Sequence, residues 1–344
     1  MTRRILFALL ALGPIVVVLN YVGINDNVLF VLAAAALIPL AWLIGEATEH
    51  AAHHTGPGVG GFLNATFGNA PELIIALLAV AEGLTEVVRG SLTGSVIGNL
   101  LLVLGFSLIF GGRGRLDRES SLTSFALVAV ATLVFLIPSV PGFDGDPDRR
   151  ELAVVSLWVS IALLALYVVV TWLTLRRHRE LHVGEAPAHA WSFRLSLLVL
   201  GVATVITAFV AEALVHSLET FAETLGLTDF FVAAVIVAIV GNAAEHGGAV
   251  VVAARGNIKL AAEIALASSA QVAVFLIPAV AIISWAIEPL SLAFREVELA
   301  AVGGSVVFAS LLLFRGYSSR GRGYALVAAY VAVATAFYFA GDRV

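Results

Sequence analysis

Long runs of apolar residues, separated by short charged or Gly/Pro-rich turns, follow one another along the entire chain. Most runs exceed the ~20 residues that a helix needs to cross a bilayer. No polar segment between them is long enough for a separate globular core. The pattern predicts an all-α polytopic membrane protein, a single transmembrane domain over residues 1–344 with 11 transmembrane helices. The predicted spans are residues 5–22, 28–50, 60–82, 87–110, 121–140, 151–175, 192–217, 228–254, 258–287, 292–314 and 323–340.

The composition agrees with a membrane protein. Of the 344 residues, 60% are hydrophobic and 12% are charged, and the mean hydropathy is +1.01, which is far from soluble averages. Cysteine is absent, which excludes disulfides and thiolate metal sites, so a bound cation must be held by oxygen or imidazole. The net charge of −5 is spread over the loops and indicates no nucleic-acid surface.

The distribution of basic residues indicates the orientation in the membrane. With the N-terminus cytoplasmic and the C-terminus outside, 14 of the 19 lysines and arginines fall on the cytoplasmic side. This excess follows the positive-inside rule, and a missed or extra helix in the middle would scramble it. The compact loops favour a plasma membrane. The five basic residues predicted on the outside are Arg89, Arg149, Arg150, Arg295 and Arg343.

A short motif occurs twice within the apolar runs. Residues 68–73 read Gly-Asn-Ala-Pro-Glu-Leu, and residues 241–246, which begin 173 positions later, read Gly-Asn-Ala-Ala-Glu-His. The same offset places Ser95 over Ser268. Each motif puts a carboxylate into hydrocarbon, which costs at least ~2.5 kcal/mol on insertion scales, so both are presumptive functional sites.

The repeat divides the chain into two halves. Residues 1–26 form an extra N-terminal helix, residues 27–175 the first repeat, residues 176–190 a cytoplasmic linker and residues 191–344 the second repeat. Each half holds five crossings, an odd number, so the second half enters the membrane upside down. Such inverted repeats are typical of secondary transporters, which bind substrate at the repeat interface near the bilayer midplane.

The motif residues predict a cation site. Asn69 and Glu72 are three positions apart, as are Asn242 and Glu245, so each pair shares one helix face. Both carboxylates fall near mid-membrane by the ~1.5 Å rise per residue. Two carboxylates and two amide oxygens are ligands that suit a hard divalent cation such as Ca²⁺.

Breaks in the backbone are expected beside these residues. Gly68 and Gly241 weaken the preceding turn, and Pro71 removes a backbone donor and its hydrogen bond. Carbonyl groups released in this way can face a cavity. Without a cation, two carboxylates in a low-dielectric centre cannot both stay ionised, so the resting site should carry protons. The hypothesis is antiport, in which cation and protons compete for the same oxygens.

The helix after each motif carries further polar residues. Ser95 and Asn99 lie in the fourth predicted span, and Ser268 and Gln271 lie in the ninth. Small and polar residues line most membrane helix interfaces, so close packing is the alternative to a role in the site. Gln271 is the hardest to explain by packing alone.

Four residues are candidates for a vestibule or a proton path. Glu46 and Glu49 lie at the cytoplasmic end of the second span, and Glu212 near the outer end of the seventh. Glu46 aligns with Glu212 at an offset of 166, which favours a shared role over simple solvation. His246, directly after Glu245, either relays protons near neutral pH or forms a structural hydrogen bond.

At these residues the chain resembles the calcium/proton exchanger family, within the wider cation/calcium exchanger superfamily. Residues 60–74 and 241–246 are similar to the first and second repeat motifs of that family, and residues 94–105 and 268–271 add further matches. The matches cover most of both halves, and the paired Gly-Asn-Ala-x-Glu frames at this spacing are specific.

The resemblance implies Ca²⁺ export driven by inward H⁺ flow, with Glu72 and Glu245 as the shared Ca²⁺ and H⁺ ligands. Some members carry an acidic segment between the halves, whereas residues 176–185 here are basic, so a Ca²⁺-gathering role of that segment does not carry over. The resemblance also implies supporting roles for Asn69, Asn242, Ser95, Ser268, Gln271, Glu49, Glu212 and His246.

Other functions remain open at this point. A sodium/calcium exchanger on the same scaffold would need further oxygen-rich Na⁺ sites, and a monovalent cation/proton antiporter is related to it. A membrane metalloenzyme would need a compact His/Asp ligand set, which the sequence lacks. A passive channel fits poorly with two carboxylates in inverted halves. The prediction is a transporter rather than an enzyme, without resident cofactor, with Ca²⁺, H⁺ and lipid as partners and an oligomer compatible with the pattern.

Overall fold

The computed structural model describes residues 2–55, 60, 63, 66–177 and 191–341. Most of the predicted linker, residues 178–190, therefore lies outside the described residues. Short polar residues begin several helices, because their side chains accept hydrogen bonds from first-turn N–H groups. The helices are α1 Thr2–Leu9, α2 Leu12–Val22, α3 Asp26–His53, α4 Ala70–Ala81, α5 Thr85–Gly111, α6 Arg118–Phe143, α7 Arg150–Arg177, α8 Phe193–His216, α9 Leu218–Leu225, α10 Asp229–Gly241, α11 Ala243–Ala254, α12 Ile258–Ala286, α13 Glu296–Leu313 and α14 Arg320–Ala340.

The helical, polytopic architecture is confirmed. Within the described part of the chain, nine helices are long and apolar enough to cross a membrane, counting α1 and α2 as one, and a tenth results if α9 and α10, bent by 110°, form one span. The third predicted span, residues 60–82, contributes the 12-residue α4. The eighth, residues 228–254, is divided between α10 and α11 at Asn242. Eleven crossings remain a prediction.

Two short strands depart from the all-α expectation. β1, Gly114–Arg115, follows α5, and β2, Tyr317–Ser318, follows α13; the two pair antiparallel. The Ser318 hydroxyl donates to the carbonyl of Gly112 at 2.8 Å. Both loops leave the same end of the helical body, and pairing satisfies backbone groups that two-residue extended segments would otherwise leave to water.

The backbone around the two motifs is closely similar. α4 and α11 are both 12 residues long and begin directly after Asn69 and Asn242. These two asparagines have near-equal backbone angles, φ −101° and ψ 16° for Asn69, φ −87° and ψ 6° for Asn242. α5 and α12 each contain a π-helical turn at corresponding positions, Gly98–Val103 and Val272–Leu276. Such turns are rare and are common at functional sites.

Helix α5 lies at the centre of the molecule. It packs against α10 so closely that a Cβ atom added to Gly94 would be 2.0 Å from the carbonyl oxygen of Ala234. By contrast, α2, α7 and α14 leave many large apolar side chains exposed, as lipid-facing helices do. The helices that carry the motifs are thus surrounded by others.

Arg89 was predicted on the outer side, within the span of residues 87–110, and its side of the membrane stays a prediction. Arg89 lies in α5 and is fully buried. Its guanidinium donates to the carboxylates of Asp148 and Glu86, both at 2.7 Å. Because an unpaired buried charge is very costly, these two acidic partners are what allow the arginine inside. α5 begins at Thr85, one turn before Arg89, earlier than the hydropathy pattern indicated.

Candidate functional site

Asn69 and Glu72 lie at the start of α4. Asn69 is the residue before the helix and Glu72 its third residue; their exposed fractions are 1% and 7%. Pro71 occupies the first turn, where its missing N–H would have no intrahelical partner, so it begins α4 rather than breaking it. The interruption falls at Asn69, next to the expected Gly68.

The side chain of Glu72 reaches the motif of the other half. A Cβ atom added to Gly241 would be 3.2 Å from Cγ and 3.6 Å from Oε1 of Glu72. Glu72 therefore packs directly on the backbone of Gly241, where any larger residue would displace it. The carboxylate from residue 72 and the end of α10 form one continuous buried surface, although they are 169 positions apart in the sequence.

Asn242 is held by α5. Its amide nitrogen donates to the hydroxyl of Ser95 at 2.8 Å and to the carbonyl of Ala238 at 2.9 Å. Its amide oxygen accepts from the side-chain nitrogen of Asn99 at 3.3 Å. Asn242, Ser95 and Asn99 are all buried. The structure thus brings these three predicted residues together and fixes the orientation of the Asn242 amide.

Glu245 occupies in α11 the position that Glu72 occupies in α4, the third residue of the helix. Its backbone lies one turn beyond Gly241, the residue on which Glu72 packs. The side chains of Glu245 and His246 are outside the described part of the structure. Their predicted roles as second carboxylate and proton relay therefore remain predictions.

Helix α12 places its two predicted residues differently. Ser268 is buried, whereas Gln271 is only half-buried, although it lies within a long apolar stretch. Gln271 belongs to a row of accessible or half-accessible positions on one face of α12, with Leu260, Glu263 and Ala267. The neighbouring Ser269 hydroxyl lies 3.3 Å from the carbonyl oxygen of Val96 and so joins α12 to α5.

Glu212 belongs to an acidic group at one end of the molecule. It is exposed near the end of α8 and lies close to Glu82, the residue after α4, together with Glu219 and His216. Partial burial raises the pKa of Glu82 above its usual value, His216 opposes this change, and the charges of Glu212 and Glu219 add to it. The axis of α4 thus leads from the buried Asn69 to this acidic group.

Glu46 and Glu49 lie at the opposite end, on the last two turns of α3. Glu46 Oε1 is 3.7 Å from His50 Nε2, and Glu49 is exposed. His50 is buried because its ring stacks on Trp191 with 4.7 Å between the ring centres. Glu46 therefore faces a histidine held in place by the other half of the chain.

A second buried polar group, around Glu298, was not predicted from the sequence. Glu298, in the first turn of α13, is fully buried and accepts hydrogen bonds from the Thr93 hydroxyl at 3.1 Å and the Arg295 backbone N–H at 2.8 Å. Arg89 lies near it in the same helix as Thr93. An acidic residue inside a predicted span, residues 292–314, was the available signal. Glu298 therefore caps its own helix and joins α13 to α5.

The described donors around the motifs are oxygen atoms. In the described part of the chain, no three or more His, Cys, Asp or Glu side chains are grouped as a metal ligand set. Glu72 supplies one carboxylate, and the amides and hydroxyls of Asn69 and Ser268 are buried with it in the membrane-spanning body. Such a donor set suits transient binding of a hard cation better than a permanent metal centre.

The fold and the site define a polytopic helical membrane protein whose central helices are interrupted at buried polar residues, as is typical of secondary transporters. Comparison with known proteins identifies the group more narrowly. The chain belongs to the sodium/calcium exchanger protein family, whose model matches residues 27–176 and 195–339.

Individual relatives cover nearly the whole chain. The Ca(2+)/H(+) antiporter ChaA of Bacillus subtilis (strain 168) is 37% identical over 351 residues, 98% of this chain and 99% of the relative. Vacuolar cation/proton exchanger 3 of Arabidopsis thaliana is 32% identical over 94% of this chain and 76% of its own.

Solved structures of related proteins have the same fold as this chain. Native YfkE superposes with a TM-score of 0.84 at 35% identity, covering 97% of this chain and 99% of the other. The H+/Ca2+ exchanger CAX superposes with a TM-score of 0.75 at 17% identity over 98% and 92% of the two chains, and it shares the fold.

Proposed function

We propose that the protein is a secondary active antiporter that exports cytosolic Ca²⁺ in exchange for H⁺. Relatives at 35–37% identity over nearly the full chain are Ca(2+)/H(+) antiporters by name. The observation that carries the proposal is the contact of Glu72 with Gly241, because it joins the acidic motif of one half to the backbone of the other. Glu245 is the second shared ligand, one helical turn further along.

Competition between the ions follows from burial. Glu72 is buried in a membrane-spanning body, where an ionised carboxylate needs a counter-charge. Ca²⁺ supplies that charge when it is bound, and a proton replaces it when Ca²⁺ leaves. A site that cannot be vacant and ionised at the same time exchanges one ion for the other, which is the coupling that antiport requires.

The inverted arrangement of the halves belongs to the same proposal. α4 runs from the buried Asn69 toward the acidic group near Glu82. α11 runs from the buried Asn242 toward Arg255 and the opposite end, where Lys259 pairs with Asp117 at 3.0 Å. Equivalent helices that leave one centre in opposite directions support inverted repeats of residues 27–175 and 191–344. The proposal keeps the N-terminus cytoplasmic and the C-terminus outside, on the distribution of basic residues, with the plasma membrane as the location.

Asn242 acts in this proposal by position as well as by ligation. Its amide nitrogen is engaged by Ser95 and Ala238, so the oxygen points in a fixed direction and keeps one lone pair beyond its bond from Asn99. Asn69 has the equivalent place in the first half. Ser268 and Gln271 are the corresponding candidates on α12.

Helix α12 lines the approach from the cytoplasm. One face of α12 carries a row of exposed or half-buried residues, namely Glu263, Ala267 and Gln271. The row leads from the Lys259 end of the helix toward the site. Two polar side chains in that row are unfavourable against lipid, so the row faces water. Glu46, Glu49 and Glu212, with His246, are the proposed vestibule and proton-path residues at the two ends.

The test uses purified protein in acid-loaded proteoliposomes. Glu72→Gln and Glu245→Gln should each abolish Ca²⁺ uptake, because glutamine keeps the shape and removes the exchangeable charge. Glu151→Gln, at an exposed glutamate on the first turn of α7, is the matched control and should transport normally. Appreciable uptake by either site variant would reject a shared site.

The driving ion is tested in the same vesicles. Collapsing the pH gradient should stop Ca²⁺ uptake, and K⁺ or Mg²⁺ in place of Ca²⁺ should give little flux. Uptake restored by a Na⁺ gradient alone would instead establish sodium/calcium exchange. Robust K⁺/H⁺ or Na⁺/H⁺ exchange without Ca²⁺ would establish a monovalent cation antiporter.

A further inference from the structure

A basic cavity lies at the end of the molecule where α5 and α13 terminate. Its volume is about 500 Å³, and it is lined by the side chains of Arg113, Arg115 and Arg322 together with Tyr317 and Ser319. Three guanidinium groups around one concave surface form a site for an anion. No part of the exchange mechanism uses these residues.

The cavity is shaped by ordered backbone. The residues of β1 and β2 are among those that line it, and the Ser318 hydroxyl joins the two loops through the carbonyl of Gly112. Gly114 packs so tightly on Ile258 of α12 that an added Cβ atom would be 2.4 Å from it. The Arg322 guanidinium donates to the Tyr317 carbonyl. The backbone that carries the positive groups is therefore held in place, and so is the Arg322 guanidinium, before a ligand arrives.

The charge of the cavity is not neutralised within the described chain. No described carboxylate lies within ion-pair distance of Arg113, Arg115 or Arg322. The nearby Asp117 pairs with Lys259 at 3.0 Å instead. Hydrogen bonds from the Ser120 backbone and then from Lys259 hold the pKa of Asp117 below its usual value, so it remains committed to that pair near neutral pH.

The surface next to the cavity is apolar and exposed. Phe110 at the end of α5 is 57% exposed, and Phe314, directly after α13, is 54% exposed. Leu311 adds to the same area with 73% exposure. These side chains lie at the ends of helices that are long and apolar enough to cross a membrane, where we expect them to meet acyl chains. A ligand that fits both surfaces has an anionic head and a hydrocarbon tail.

We propose that this cavity binds the headgroup of an anionic phospholipid, with its phosphate between Arg113, Arg115 and Arg322 and its acyl chains along Phe110 and Phe314. Basic pockets between helices on the cytoplasmic side of membrane proteins suit such headgroups. The bound lipid ties the α5–α6 loop to the α13–α14 loop and thereby steadies α5, the helix that holds Asn242.

Native mass spectrometry of the full-length, delipidated protein in detergent tests the proposal. The probes are phosphatidylglycerol, phosphatidylcholine with the same acyl chains, and inorganic phosphate. Wild-type protein should retain phosphatidylglycerol in preference to phosphatidylcholine. Arg113→Gln/Arg115→Gln should weaken phosphatidylglycerol binding by about tenfold or more, because each basic group near a headgroup contributes to affinity.

The matched control is Arg150→Gln/Arg194→Gln, which removes the same charge from two exposed arginines elsewhere and should bind as wild type. Equal binding by the cavity variant and the control would overturn the proposal. Displacement of phosphatidylglycerol by inorganic phosphate at equal concentration would assign the cavity to a free anion and overturn it as well. If the variant fails to fold, the wild-type protein still tests the proposal. Equal retention of phosphatidylglycerol and phosphatidylcholine by the wild-type protein would refute the lipid site.

Discussion

Helices α5 and α12 each come after one of the two Gly-Asn-Ala-x-Glu motifs, yet they differ in exposure. Both are central, both carry a serine at the motif offset of 173, and both contain a π-helical turn at the same level. In α5 every residue from 87 to 101 is buried. In α12 the corresponding stretch has a row of exposed or half-buried side chains. For example, Leu260 is 42% exposed, whereas its counterpart Val87 is 1% exposed.

The polar side chains of α5 and α12 also differ. α5 presents Asn99 to Asn242, whereas α12 has Val272 at that position. Conversely α12 carries the half-buried Gln271 where α5 has Gly98. A similar backbone around the two motifs therefore does not give them the same polar surroundings. Under the proposed function α5 holds the site on one side, and α12 lines its approach on the other.

The largest effect is expected for Gly94→Ala, which tests the close packing of α5 against α10. The added methyl group would meet the Ala234 carbonyl oxygen at 2.0 Å, and a backbone atom cannot rotate away. Overpacking of this kind costs about 3 kcal/mol or more, so a large fall in thermal stability and loss of transport are expected. Gly98→Ala, with nothing within 4 Å of its added atom, is the control. Normal stability of the Gly94 variant would show that α5 and α10 do not pack this closely.

The difference in exposure is tested by single cysteines, since the chain contains none. Ala267→Cys on α12 should react with a membrane-impermeant maleimide in inverted vesicles about tenfold faster than Ser91→Cys on α5, because burial protects the latter. Equal rates would remove the proposed approach along α12.

The hydrogen bond between the halves is tested by Asn99→Val, which gives α5 the residue found in α12. The Asn242 oxygen would lose its donor, and an unpaired buried acceptor costs about 1–3 kcal/mol, equivalent to a rise in KM for Ca²⁺ of about tenfold. Thr132→Val, at a buried hydroxyl bonded within its own helix, should leave KM unchanged. An unaltered KM in the first variant would show that the orientation of Asn242 is unimportant.

The contact between the halves is tested by Gly241→Ala. The new methyl group would lie 3.2 Å from Glu72 Cγ, which requires a shift of a few tenths of an ångström. A rise in KM for Ca²⁺ of about threefold is expected, smaller than for the loss of a hydrogen bond. Gly248→Ala, in the neighbouring α11 and with open space around its added atom, is the matched control. If both variants behave alike, the contact with Glu72 has no part in binding.

Many of the helices and the two motifs could be predicted from the sequence, because the patterns that indicate them lie in neighbouring residues. Apolar runs identify spans from α3 to α14, and the motif offset identifies α4 and α11 as counterparts. Ser95 and Asn99 were predicted to contribute to the site from the helix after the first motif, and the structure places them against Asn242 of the second motif. The burial of Arg89 was not accessible in this way, because hydropathy does not record that Asp148 and Glu86 provide the arginine with partners inside.

The sequence alone determined that the chain is a helical membrane protein, that two Gly-Asn-Ala-x-Glu motifs interrupt its spans, and which polar residues accompany them. These properties depend on the hydrophobicity and backbone preferences of neighbouring residues. Only the tertiary structure decided that Glu72 packs on Gly241, that α5 rather than α12 holds Asn242, and that β1 and β2 join two distant loops into a basic cavity. Those features depend on contacts between segments up to about two hundred residues apart, and no local pattern records the direction in which a side chain finally points.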